Sequence, residues 1–162
     1  GSMNVLKNVL GNEYLWNNVR VKGGAYGCMS GFGRDGDCYM VSYLDPKLAE
    51  TNEVYDKLPE YLEQFDQDER SMDRYVIGAI SEMDIPKNPA ALGVRGLTAY
   101  LSGITREQLQ KERDEVIDTD AKEIRALVPY AKAVLSNNCL CVVGNENKIK
   151  ENSSLFTTVR SL

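Results

Sequence analysis

Histidine is absent from all 162 residues. Its absence removes Ser-His and Cys-His nucleophilic sites and nearly every catalytic zinc site, because zinc in proteins usually takes imidazole. No run approaches the roughly 18 apolar residues of a membrane span, so no bilayer-crossing helix is expected. Cysteine is scarce: Cys28, Cys38, Cys139 and Cys141 are the four. No pair has C-x-x-C spacing. Cys139-Leu140-Cys141 leaves no loop to wrap a metal, which makes a four-thiolate zinc cluster a poor fit. The four sit in apolar, strand-like stretches and read as small buried hydrophobes kept reduced, which favours a cytoplasmic or organelle-matrix location.

Basic residues are outnumbered 19 to 24, for a formal net charge of -5. Residues 1–45 carry four charges of each sign, so the excess lies wholly in residues 46–162. A phosphate backbone wants clustered Lys and Arg, and an acidic chain is a poor partner for nucleic acid. With 43% hydrophobic residues the chain has the apolar content to fold. Gly1-Ser2-Met3 reads as an expression scar, and residues 4–162 as one α+β domain.

Composition shifts once, near Asp45-Pro46: eight of the 13 glycines precede it. Residues 4–18 place Val5, Leu6, Val9, Leu10, Leu15 and Trp16 at near-helical spacing, with Gly11 as a soft middle. Residues 25–33 and 38–44 alternate as two strands, and Arg34-Asp35-Gly36 between them is a tight-turn signal, so an antiparallel hairpin is expected. Tyr26, Cys28, Ser30 and Phe32 are expected to share one face of the first strand. Helices follow: one from Leu48 to Phe65 that Pro59 kinks or restarts, one over 69–83, and one from Ala90 to Leu101. Thr105-x-x-Gln108 is a capping-box start, and Asp120-x-x-Glu123 a weaker one opening a helix to about Ser136. Cys139 to Gly144 reads as a buried strand that returns to the sheet, and Asn145 to Glu151 as a short helix. The expected class is α+β, with helices covering one face of a mainly antiparallel sheet.

Three features could carry chemistry. Gly31-Phe32-Gly33-Arg34-Asp35-Gly36 matches G-x-G-x-x-G, but a second strand follows where the dinucleotide fingerprint needs a helix, so the nucleotide reading fails. Glu50 to Glu69 holds eight carboxylates against Lys57 alone. It reads as a solvated helix face, with a field favouring basic peptides as the sharper alternative. The third feature is Arg20-Val21-Lys22-Gly23-Gly24-Ala25-Tyr26-Gly27. Its glycines permit positive φ and close approach of another chain. The Arg20 guanidinium can donate to carbonyls in a planar fork, and the Tyr26 hydroxyl can meet a developing oxyanion. The plainer alternative is a glycine-rich loop entering a hairpin, with Arg20 in a surface salt bridge and Tyr26 half-buried.

The segment Tyr14-Leu15-Trp16-Asn17-Asn18-Val19-Arg20-Val21-Lys22-Gly23-Gly24-Ala25-Tyr26-Gly27 resembles the last domain of the pitrilysin/insulinase-type zinc metallopeptidases, specifically the presequence protease branch. The similarity extends through Tyr43-Leu44-Asp45-Pro46, Gly78-Ala79-Ile80-Ser81, Ala99-Tyr100-Leu101-Ser102-Gly103 and Val142-Val143-Gly144-Asn145. The resemblance implies the fourth, C-terminal domain of a longer chain, whose two halves close around a peptide chamber. Zinc and its ligands would lie in the first domain, and no metal ligand in this one. By the resemblance Arg20 and Tyr26 contact substrate carbonyls and the transition state, while Gly23, Gly24 and Ala25 keep backbone clear of the bound peptide.

The partners implied are the N-terminal domains of the same chain and a peptide substrate, with no nucleic acid and no membrane. The resemblance also leaves a second reading open, a non-catalytic paralogue that serves as scaffold or peptide-presenting subunit.

Overall fold

A computed structural model describes residues 1–161 and divides them into two compact units. The first comprises Gly1–Val9 and Phe65–Ala126, and the second Leu10–Gln64 with the residues from Leu127 onward.

The first unit is helical. Helix α1 (Ser2–Val9) buries Val5, Leu6 and Val9 and packs on α4 (Glu69–Met83), α6 (Arg106–Ile117) and α7 (Ala121–Arg125). In α4 the Asp68 carboxylate caps the start by accepting from the Ser71 N–H at 2.7 Å, and Met72, Tyr75 and Ala79 then recur on one buried face. Gly78 lets the two helices approach, since a Cβ there would meet the Asn8 side chain at 2.5 Å. Both bonds of the capping box are present at α6: Gln108 N–H to Thr105 Oγ1 at 3.2 Å and Thr105 N–H to Gln108 Oε1 at 2.8 Å. The remaining helix, α5 (Pro89–Leu101), buries no residue and leaves Leu92, Val94, Leu97, Tyr100 and Leu101 exposed.

The second unit opens with two π-helical segments, Leu10–Tyr14 and Trp16–Lys22. The soft middle expected at Gly11 is therefore a widening of the helix, which continues to Lys22. Leu10, Leu15 and Val19 are fully buried along it. Strands β1 (Gly27–Phe32) and β2 (Cys38–Tyr43) follow and pair antiparallel, from Gly27 opposite Tyr43 to Phe32 opposite Cys38. The turn closes as expected, with Gly33 N–H on the Asp37 carbonyl at 2.7 Å and Gly36 at φ +94°. Next come α2 (Leu48–Asp56) and α3 (Leu58–Glu63); Pro59 restarts the helix in its first turn. Helix α3 packs on α8 (Val128–Ser136), and Asn145 caps the short α9 (Glu146–Glu151).

The α+β class stands, with one antiparallel sheet among many helices. Three expectations are corrected. The helix expected from Asp120 to about Ser136 is broken into α7 and α8, where Pro129 in the first turn of α8 makes a second start. Cys139 to Gly144 forms no strand, and among the described residues the sheet has two strands only. Asn138 takes a left-handed conformation at φ +45° after α8, and the run that follows lines an open groove of about 440 Å³ together with β2 and α2. The cysteines are accordingly less buried than expected: all four are free, Cys28 and Cys38 half-buried, Cys139 and Cys141 exposed.

Candidate functional site

The third sequence feature folds into a corner between the second π-helical segment and β1. Leu15 and Val19, both fully buried, anchor the helix, so Trp16 and Arg20 lie one residue further round its surface. The helix ends over a tight set of backbone bonds: Gly24 N–H donates to the Arg20 carbonyl at 2.9 Å and Ala25 N–H to the Val19 carbonyl at 3.2 Å. Those bonds explain both glycines. A Cβ on Gly23 would collide with the Val19 carbonyl, and Gly24 sits at φ +87°, where side chains are strained. Ala25 is buried and anchors the turn. At Gly23 the backbone lies directly against the Val19 carbonyl of its own helix.

Beyond the turn, Tyr26 N–H donates to the Leu44 carbonyl at 3.3 Å, tying the corner to the end of β2. The Tyr26 ring does not share a face with Cys28, Ser30 and Phe32 as alternation alone predicts. It meets the Tyr43 ring edge-on, with centroids 5.4 Å apart. The register puts Tyr43 on the other face, beside Val41, Tyr39 and Met29, and those side chains are exposed. Tyr26 lies just before β1 and is not held to its pleat.

Arg20 and Tyr26 are brought together directly. Arg20 Nε donates to the Tyr26 carbonyl at 2.9 Å, and the guanidinium lies 4.0 Å from the centre of the Trp16 ring. Among the described residues Arg20 makes no ion pair and its Nη groups make no hydrogen bond, which sets the surface salt bridge aside. Tyr26 is 63% exposed rather than half-buried. The corner therefore presents the Tyr26 phenol to solvent, beside a half-buried guanidinium whose Nη groups have no hydrogen-bond partner among the described residues. Trp16 is the participant that sequence reasoning missed, although its i, i+4 spacing from Arg20 signalled it.

Two neighbouring groups have shifted pKa values. Burial pushes the Cys28 thiol up, Arg20 opposes the shift and Asp45 adds to it, so this thiol is no ready nucleophile. Burial also raises Tyr55; the nearby Ser42 hydroxyl works the other way, while Asp45 and Cys28 raise it further. Its hydroxyl is buried with no partner in hydrogen-bonding geometry.

Half of the eight carboxylates in the acidic run are taken up in a cap and ion pairs. Glu63 pairs with Lys132 at 2.7 Å, Glu53 with Lys57 at 3.8 Å and Asp66 with Arg125 at 3.7 Å, while Asp68 caps α4. The sequence offers no imidazole, and among the described residues no three His, Cys, Asp or Glu side chains group as ligands.

An antiparallel hairpin set among helices, with a half-buried arginine and an exposed tyrosine at its entry, defines a helix-rich α+β module. The chain belongs to the PreP C-terminal domain family, whose model matches residues 1–144. Over its whole length it is 47% identical to Protein HypA of Clostridium perfringens (strain 13 / Type A), of which it covers 17%. It is 30% identical, again over its whole length, to Presequence protease 1, chloroplastic/mitochondrial, of Arabidopsis thaliana, covering 16% of that protein. To the mitochondrial presequence protease of Schizosaccharomyces pombe it is 27% identical over 83% of the chain, covering 13% of that protein. The chain thus spans about a sixth or less of the length of these relatives. Among the described residues no helix is long and apolar enough to cross a membrane.

Proposed function

We propose that the chain is the C-terminal substrate-binding domain of a zinc metalloendopeptidase that degrades peptides in a closed chamber. It supplies an Arg/Tyr pair to the active site and none of the metal ligands. The reading rests on the corner itself: the exposed Tyr26 hydroxyl and the unengaged Arg20 Nη groups are held together by the 2.9 Å bond from Arg20 Nε to the Tyr26 carbonyl. The phenol donates to the oxygen on which charge develops as a peptide carbonyl is attacked. The guanidinium fork donates to carbonyls of the extended peptide and fixes its register. Gly23 and Gly24 keep the turn tight and leave only backbone beside the peptide, and buried Ala25 holds that turn in place.

The zinc ion would be held elsewhere in the intact protein, where it supplies the Lewis-acid chemistry. The chain's partners are then the N-terminal domains of the same protein and a peptide, with neither nucleic acid nor membrane involved. The exposed apolar row of α5 supports a contact with the rest of a longer chain. Of the cytoplasmic and organelle-matrix locations, the mitochondrial and chloroplastic presequence proteases among the relatives support the organelle.

Hydrolysis of a quenched fluorescent peptide by this chain alone and by the intact protein, each with and without a chelator, tests the reading. Activity in the intact protein only, lost on chelation, is expected. Hydrolysis by this chain alone would contradict it, and silence from both would favour the scaffold or peptide-presenting paralogue.

A further inference from the structure

We propose that Trp16 is a positioning residue, whose indole face aims the Arg20 guanidinium at the substrate. The inference rests on the reading of Arg20 as a peptide contact and adds the group that orients it. An arginine side chain has several rotatable bonds, and ordering it on substrate binding costs affinity. Here two independent contacts order it beforehand. The guanidinium carbon lies over the Trp16 ring, 4.0 Å from its centre, which holds the charged end against the indole face. The 2.9 Å bond from Nε to the Tyr26 carbonyl holds the other side of the group. With both in place, the two Nη groups are held beside the residue that carries the Tyr26 hydroxyl.

The local backbone favours this stacking. Trp16 and Arg20 lie four residues apart in the π-helical segment Trp16–Lys22. A π turn is closed by i→i+5 bonds and holds more residues than the 3.6 of an α-helix, so positions i and i+4 come closer to one line along its surface. Buried Leu15 and Val19 hold the turn from within, and the next pair round, Trp16 and Arg20, is set one above the other. Such widened turns occur frequently at functional sites.

Two measurements test the proposal. Trp16 is the chain's sole tryptophan and is 42% exposed, so acrylamide quenching of its fluorescence in this chain reports on the guanidinium that covers it. Arg20→Ala is expected to raise the quenching constant, and an unchanged constant overturns the stacking. In the intact peptidase, Trp16→Leu keeps an apolar side chain but removes the π face. It is expected to lower kcat/KM about fivefold, the scale of a partly desolvated cation–π contact, with an unchanged melting temperature. Trp16→Phe should recover most of that loss, and Trp16→Leu should add nothing to Arg20→Ala. If Arg20→Ala lowers activity while Trp16→Leu has no effect, or if the two losses add fully, the positioning role fails and the reading of Arg20 survives. If Arg20→Ala itself leaves kcat/KM unchanged, the reading of Arg20 fails and the positioning role falls with it.

Discussion

Arg20 Nε donates to the main-chain carbonyl of Tyr26 at 2.9 Å, so the two side chains that could act on a peptide are tied through backbone. Among the described residues the Arg20 Nη groups make no hydrogen bond, and Tyr26 is exposed. Their relative placement depends on the five residues between them, and the turn should be as sensitive to substitution as the pair itself.

Gly24 at φ +87° occupies a region that costs an L-residue about 1–2 kcal/mol. Gly24→Ala is expected to destabilise the chain by that amount in chemical denaturation. Gly11→Ala is the control, since no atom lies within 4 Å of a Cβ there. On helix propensity it should be neutral or stabilising by up to about 1 kcal/mol. A Gly24→Ala protein as stable as wild type would show that the turn relaxes elsewhere.

The Tyr14 hydroxyl donates to the Val54 carbonyl at 2.7 Å, and its ring lies 4.4 Å from that of Tyr61. Burial, with a smaller contribution from Glu60, raises its pKa from the ordinary 10.0 to about 12. A folded pKa above the unfolded one contributes stability that is fully present below about pH 10 and lost as pH rises through about 12. Tyr14→Phe should cost about 1 kcal/mol at neutral pH and flatten the loss of stability above about pH 10, measured by urea melts across that range.

Arg113 and Asp84 pair through two parallel bonds, Nη1 to Oδ1 at 2.7 Å and Nη2 to Oδ2 at 2.8 Å. The hydrogen bonds from Arg113 are the main cause holding the Asp84 carboxyl below its ordinary value of 3.8. A depressed folded pKa contributes stability above the unfolded pKa that is lost as pH falls through the folded one. Asp84→Asn should therefore melt less acid-dependently below about pH 4 than wild type. Equal acid sensitivity in the two proteins would mean that the exposed pair contributes nothing to stability.

Elements with both a period and a cap were legible in the sequence. Helix α4 spans Glu69–Met83 as expected, because Asp68 and the Met72, Tyr75 and Ala79 spacing agree. The capping box at Thr105 and the turn at Gly36 likewise each have a local cause. Cys139 to Gly144 was not legible, since a short apolar run does not say whether a neighbouring strand will accept it. Gly11 marked a weak point in the first helix, but nothing in residue type announced the widening to π geometry that sets Trp16 beneath Arg20. Alternation placed Tyr26 on the wrong face, because its neighbour Tyr43 decides where an aromatic ring at a strand's entry comes to rest. Arg20 and Tyr26 were readable as candidates, whereas their backbone tie and the free Nη groups required coordinates.

The central claim is that the corner donates hydrogen bonds to a peptide undergoing hydrolysis. Its most direct test is steady-state kinetics of Tyr26→Phe in the intact protein, which removes one hydroxyl and keeps the ring against Tyr43. The account predicts a fall in kcat of roughly 10²-fold, the scale of one oxyanion donor, with folding unchanged. Wild-type turnover in that variant would remove Tyr26 from the mechanism.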